Sequence, residues 1–328
     1  MNIVYIEKDI LHHPRTQRIL KKVKPLQVIE CDHYKQVFNP KSQNFRIQKQ
    51  QPALILAEKK GTRVFPSPTG FGIGGELNYY FSHMLNCLYD CRYCFLQGMY
   101  SSANYVVFVN FEDFMHDIKL MSETATSPIY FFSGYDGDSL AYEPVTHFVQ
   151  EFVAFFQPLK NAFLELRTKS TNIKELLKQP SYSHCIVAFS FTPDEISRDT
   201  EHKVPSVSKR IKAMKQVADH GWPIGLRFDP LIYHPDFKKV YQHLIDDIFS
   251  AISSSSLHSI SMGPLRFPEK MYQKIVNLYP EDPLLSQPLY KQGNMISYRE
   301  ETEQAMKNWI HHLLNQYVDK TLLFECHV

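Results

Sequence analysis

Cys87, Cys91 and Cys94 stand in the run Asn86-Cys-Leu-Tyr-Asp-Cys-Arg-Tyr-Cys-Phe95, a C-x3-C-x2-C spacing with no fourth cysteine nearby. Three thiolates on one tight loop can ligate three irons of a 4Fe-4S cluster and leave the fourth open. An open iron can bind and activate a small molecule, whereas a fully ligated cluster mostly carries electrons. Thiolates suit zinc as well, and His83, four residues before Cys87, makes a three-cysteine, one-histidine site arithmetically possible. A structural zinc site usually draws ligand pairs from separate turns, and here every candidate lies in one stretch. A metal-bound module without catalysis is the corresponding non-enzyme reading. Tyr93, just before the last cysteine, offers a flat ring beside the open iron, against which an adenine can pack.

These residues need a scaffold, and 328 residues suffice for one large domain or two small ones. Lys and Arg total 36 against 34 Asp and Glu, a net charge of +2. That balance does not advertise nucleic-acid binding, but it leaves room for a local basic groove. Lys21-Lys22-Val23-Lys24 and Lys59-Lys60-Gly61-Thr62-Arg63 read as solvated surface. The N-terminus lacks a signal peptide's pattern, and no apolar run reaches the about 20 residues that cross a bilayer. A cytoplasmic protein without membrane contact is expected. Six cysteines in that setting, three within eight positions, indicate a metal site rather than disulfides.

The first 74 residues read as an α/β extension, with strands at Val4–Ile6 and Gln27–Glu30, a helix at Thr16–Val23 and an apolar run at Ala53–Leu56. From residue 75 strands and helices alternate. Strands are expected at 77–83, 129–132, 163–168, 185–190, 224–228 and 259–262. Helices are expected at 111–121, 145–156, 173–178, 207–219, 237–252 and 268–278. A helix over 300–317 and a last strand over 322–325 close the chain. The pattern predicts an α/β fold: an incomplete (βα)6 TIM-like barrel over 75–328, with an N-terminal α/β extension and a C-terminal helical segment. A doubly wound sheet is the alternative. In either, chemistry belongs at the C-terminal strand ends, where the cysteine loop begins. Gly70-Phe-Gly72-Ile-Gly-Gly75 fits a dinucleotide fingerprint but lacks its strand–helix context, so it reads as a turn.

The C-x3-C-x-aromatic-C pattern resembles the signature of the radical S-adenosylmethionine superfamily. The resemblance implies a 4Fe-4S cluster whose open iron chelates S-adenosylmethionine, and an electron that splits the sulfonium to a 5′-deoxyadenosyl radical. Cys91-Arg-Tyr-Cys-Phe-Leu-Gln97 is similar, more narrowly, to the cysteine loop of the spore photoproduct lyase family. Later segments match that family in order: Thr168-Lys169, Phe189-Ser190, Pro230 to Tyr233, Arg266-Phe267 and Tyr298-Arg299. The resemblance spans nearly the whole chain. It implies that Tyr93, Lys169 and Ser190 hold the cofactor, and that Arg266, Tyr233 and Tyr298 are candidates for the substrate. It further implies a reducing partner of flavodoxin or ferredoxin type and DNA as a candidate partner. Oligomeric state stays open.

The pattern also breaks. The family returns a hydrogen to its product radical from a cysteine after the second barrel strand. The matching stretch, Phe131-Phe-Ser-Gly-Tyr-Asp-Gly-Asp-Ser-Leu140, has none. Tyr135 or, with a shift, Ser133 falls at that place. A serine O–H is too strong to donate easily, whereas a phenol can serve, which makes Tyr135 a candidate catalytic residue beside Tyr93. Phe95 replaces a family tyrosine. Asp138, with Asp136 and Ser139, can reach the cofactor or a polar substrate. Cys185 is expected to face away from the barrel interior, Cys31 lies outside the barrel pattern, and Cys326 lies near the C-terminus. The departures favour, as alternative, a radical enzyme on the same scaffold acting on a metabolite or protein.

Overall fold

The computed structural model describes residues 1–38, 40 and 43–326. Its main sheet holds six parallel strands: β1 (Leu77–Phe81), β2 (Ile129–Ser133), β3 (Ala162–Thr168), β4 (Cys185–Ser190), β5 (Ile224–Leu231) and β6 (Leu257–Pro264). They pair in chain order. Leu323–Glu325 adds in parallel beyond β6, and Val64–Pro66 adds antiparallel beyond β1. Those outer strands do not pair with each other, so the sheet is an open, incomplete barrel. A doubly wound sheet needs strand order to reverse at a switch point. Here each new strand adds on the same side, which removes that alternative.

The strands form because their sequences suit burial on both faces. Cys-Ile-Val-Ala-Phe-Ser in β4 is buried throughout. Outside, amphipathic helices cover the sheet. Phe237–Ala251 buries Phe237, Val240, Tyr241, Leu244, Ile245 and Ile248, the i, i+3, i+4 stripe of a core-facing helix. Inside, the floor is charged. Glu165 on β3 pairs with Arg227 on β5 at 2.7 Å and with Arg167 at 2.9 Å, and Arg227 also donates to Ser259 Oγ at 2.9 Å. Burial opposes the Glu165 charge, but Arg227 and Arg167 more than offset it and hold the carboxyl down to about 2.

A second sheet has the order Gln27–Cys31, Ile3–Glu7, Leu54–Ala57, Tyr105–Phe108, Met84–Leu85. Two of its strands come from beyond residue 75, and Val64–Pro66 from before it joins the barrel. The two sheets thus exchange strands across the sequence boundary. The Tyr105–Phe108 strand is not in the sequence-based pattern, because four buried residues without alternation are too short a run to separate strand from the start of the helix at Phe111. The polar Asp194–Thr200 helix was missed for lack of an apolar stripe. The expected 173–178 helix is only a 3-10 turn at Leu176–Lys178. The 145–156 helix splits at His147, whose φ of 55° breaks the helical path.

Candidate active site

The cysteine loop leaves Met84–Leu85 through Asn86, whose φ is 68°. The Asn86 amide anchors that turn by donating to the carbonyls of Ser102 and Asn104, each at 2.7 Å. Asp90–Cys91 then pairs antiparallel with Glu201–His202, and Arg92 N donates to Thr200 O at 2.8 Å. Gln97 ties the far side, donating to Asp90 Oδ1 at 2.8 Å and to Cys91 O at 3.3 Å. The loop closes on the Glu269–Leu278 helix through Gly98, where an added Cβ would lie 2.5 Å from Met271 O.

Cys87, Cys91 and Cys94 all line one cleft of about 530 Å³ at the C-terminal strand ends. Among the described residues no three His, Cys, Asp or Glu converge as the ligands of a single ion. Three cysteines along one cleft are a donor set that suits an iron–sulfur cluster, for which thiolates are the usual ligands. Burial raises the pKa of all three, that of Cys87 to about 12, which keeps each thiol protonated at neutral pH.

His83 does not join them. Its ring lies flat on Phe148, with centroids 3.7 Å apart at 5°, and is 2% exposed. Burial lowers its pKa from 6.5 to about 3. The folded state keeps the ring neutral while the unfolded chain protonates near 6.5. This contribution to stability is therefore full above 6.5 and is lost as pH falls toward 3, by about 1.4 kcal/mol per pH unit. Acid-unfolding curves of His83→Phe should lack that slope; an unchanged slope would assign it to other groups.

Lys169, at the end of β3, places Nζ 5.4 Å from the centre of the Tyr93 ring, and both residues line the cleft. The Tyr93 hydroxyl points away from the cleft, donating to Glu201 Oε1, with Thr192 Oγ1 3.4 Å distant. Glu201 is buried against Arg210 at 2.5 Å, and Arg210 Nη1 donates to Ser190 O at 2.9 Å. One ion pair thereby fixes both Tyr93 and Ser190, which lines the cleft as well. Asp138 also faces the cleft, yet four donors occupy its carboxylate: Leu140 N, Ala141 N and Thr168 Oγ1 on Oδ1, and Lys169 N on Oδ2 at 2.6 Å. It clamps the turn after β2 to the end of β3 and so sets where Lys169 begins.

Tyr135 lines the cleft, stacked on Tyr80 with centroids 4.2 Å apart and 5.8 Å from the Phe95 ring. Burial, with Tyr80 and Asp136 adding to it, pushes the phenol pKa up, so the hydroxyl keeps its hydrogen. Ser133 spends its hydroxyl on Glu165 O and Ser139. Asp136 accepts from Ser82 Oγ at 2.6 Å and from the Tyr100 hydroxyl at 3.2 Å. Of the three substrate candidates only Arg266 lines the cleft. Tyr233 is 42% exposed outside it. Tyr298, 2% exposed, spends its hydroxyl on Tyr233 N and Gln287 Oε1.

The thiols outside the motif divide. Cys185 is fully buried in the main core, as its strand parity implied. Cys326 is a different matter. Its N donates to Met262 O, and its Cβ lies 3.1 Å from where a Cβ on Gly263 would stand, beside Arg266 and Asp229. Strand alternation turns Glu325 outward to Lys307 and His311 and turns Cys326 inward, to the barrel mouth. Position near the chain end concealed this, while the period-2 pattern of residues 323–326 was a usable signal. Arg167, with guanidinium in the same cleft, also went unread.

The family model described as "Spore photoproduct lyase" matches residues 1–324. The curated spore photoproduct lyase of Bacillus subtilis (strain 168) is 24% identical over 97% of this chain and 94% of its own length. That of Geobacillus sp. (strain Y412MC61) is 22% identical, covering 94% of each chain. A solved spore photoproduct lyase complexed with dinucleoside spore photoproduct superposes at a TM-score of 0.84 and 19% identity, over 99% of this chain and 98% of that one. A mutant of a spore photoproduct lyase with bound AdoMet and dinucleoside spore photoproduct gives the same values. The match of the family model over almost every residue, on a cleft with three cysteines, places this chain in the spore photoproduct lyase family and, with it, in the radical S-adenosylmethionine superfamily.

Proposed function

We propose that this chain repairs a thymine photoproduct in DNA by radical chemistry, with a 4Fe-4S cluster on Cys87, Cys91 and Cys94 and with S-adenosylmethionine as cofactor. The observation that carries the reading is that the three cysteines, Lys169 and Tyr93 all line one cleft. When bound, cluster and S-adenosylmethionine supply a hydrogen-abstracting carbon radical. The protein's part is to bind, orient and exclude water. Lys169 Nζ pairs with the cofactor's carboxylate. The Tyr93 ring, locked by Glu201, walls the adenine side, and Ser190 presents a hydroxyl there. Phe95 and Tyr135 shield the substrate radical, Arg266 binds the polar part of the lesion, and Tyr135 Oη returns the hydrogen, leaving a phenoxyl radical that one electron from the protein's reductant and one solvent proton restore to the phenol. A duplex-bound lesion has to leave the stack to reach these groups. The electron comes from a low-potential protein of flavodoxin or ferredoxin type. No described helix is long and apolar enough to cross a membrane.

The absent thiol after β2 favours a second reading, the same radical chemistry on a metabolite or protein. One experiment separates the two. Anaerobically reconstituted protein is reduced with dithionite and given S-adenosylmethionine and a deuterated dinucleotide spore photoproduct. Repair, with deuterium moving into 5′-deoxyadenosine, is expected. 5′-Deoxyadenosine formed while the dinucleotide stays intact would support the second reading. Zinc without acid-labile sulfide would leave only a non-catalytic module.

A further inference from the structure

Lys49 belongs to the N-terminal segment, 38 positions before the first cysteine, yet it reaches the cysteine loop. It follows the short Phe45–Gln48 helix and is 6% exposed. Its Nζ donates to Cys87 O at 3.1 Å and to Tyr89 O at 3.2 Å. The rings of Phe45 and Tyr105, 5.7 and 6.0 Å from the ammonium, exclude water. Neighbouring contacts hold the segment to the start of the same loop. Gln48 Oε1 accepts from Ala103 N at 2.6 Å and from Ser102 Oγ at 3.0 Å, while the carbonyls of Ser102 and Asn104 receive the Asn86 amide. Lys203 Nζ donates to Lys49 O at 3.2 Å.

A buried ammonium is costly without a compensating charge. Lys49 forms no ion pair among the described residues. Asp90, on the same loop, is already bound to Arg92 and Gln97. The Lys49 ammonium sits instead on the carbonyls of Cys87 and Tyr89, next to the first thiol of the loop. Lys169 approaches the loop at its cleft side, with Nζ 5.4 Å from the centre of the Tyr93 ring. The two lysines differ in one respect. Lys169 lines the cleft, where an incoming carboxylate meets its charge, whereas Lys49 stands behind the loop, out of the cleft.

We infer that Lys49 is a positioning residue of the cluster, whose two hydrogen bonds fix the Cys87–Tyr89 arm and whose buried charge raises the reduction potential of a cluster held there. The inference rests on the 4Fe-4S reading of the three cysteines. Reduction adds one negative charge to an already anionic group, and a fixed cation in a poorly screened interior stabilises the reduced state over the oxidised one. This potential is a property of the resting holoenzyme, independent of which substrate it takes.

The test compares reconstituted wild type with Lys49→Arg, Lys49→Gln and Lys49→Met. The readouts are iron and acid-labile sulfide content, a redox titration followed by electron paramagnetic resonance, and S-adenosylmethionine affinity. Lys49→Gln keeps a donor without the charge and should load its cluster but titrate at a more negative potential. Lys49→Met should also lose cluster content, and Lys49→Arg should restore the potential. S-adenosylmethionine affinity should stay within twofold in the two variants that load their cluster, Lys49→Arg and Lys49→Gln, whereas Lys169→Met should weaken it at least tenfold. A wild-type potential in both Lys49→Gln and Lys49→Met overturns the inference while leaving the cluster intact. A wild type without acid-labile sulfide overturns the cluster reading and this inference together.

Discussion

Cys91→Ala should lower 5′-deoxyadenosine formation by more than about a thousandfold, since loss of a mere outer-shell partner of a metal already costs 10–100-fold. The substitution leaves the loop's backbone bonds intact, because Gln97 Nε2 and Cys94 N reach Cys91 through its carbonyl and Glu201 pairs with its main chain. The loss therefore reports the missing thiolate. Iron and acid-labile sulfide should fall with activity. Cys185→Ala, which alters only the core, should keep both. A Cys91→Ala protein that still makes 5′-deoxyadenosine at a wild-type rate would remove this residue from the cluster.

The second large effect separates two hydrogen donors. Tyr135→Phe should cut completed repair at least about tenfold while 5′-deoxyadenosine still forms, the signature of a block after hydrogen abstraction. The variant keeps the ring stacked on Tyr80 and deletes only the phenol. Cys326→Ser is the matched comparison. Burial, and secondarily Asp229, pushes that thiol up to about 12, so it too carries its hydrogen at neutral pH. Solvent deuterium in the repaired dinucleotide is the measurement. Loss of repair in Cys326→Ser with full repair in Tyr135→Phe would move the donor role from the phenol to the thiol.

Much of this was legible in the chain. Central barrel strands such as β2 and β4 announce themselves because both faces are buried, which leaves apolar runs such as Ile-Val-Ala-Phe with turns around them. The cysteine spacing is local, and so are the steps from Thr168 to Lys169 and from Phe189 to Ser190 at strand ends. What stayed hidden depends on contacts between distant segments. Nothing in the sequence joins Lys49 to Cys87, Glu201 to Tyr93, or Cys326 to Arg266. The sequence offers Asp138 to the cofactor or a polar substrate, and does not show that its carboxylate takes four internal donors from a turn and from a strand end 30 positions away. Tyr298 and Tyr233 share the family's order, but the bond from Tyr233 N to the Tyr298 hydroxyl joins positions 65 apart, which spacing does not reveal.

The partners of the cysteine loop are scattered in time as well as in space. A ribosome releases Lys49 and then the three cysteines. Glu201 and Thr200, which pair with the loop, follow about a hundred residues later. Tyr279, which donates to Gln97, and Asp282, which pairs with Arg92 at 3.2 Å, follow about eighty residues after those. A nascent chain thus exposes three unsupported thiols until nearly two hundred further residues have been made, and only then does the loop gain its full set of braces. A cluster carried by these thiols would accordingly be installed after folding, into a finished pocket and not a flexible peptide.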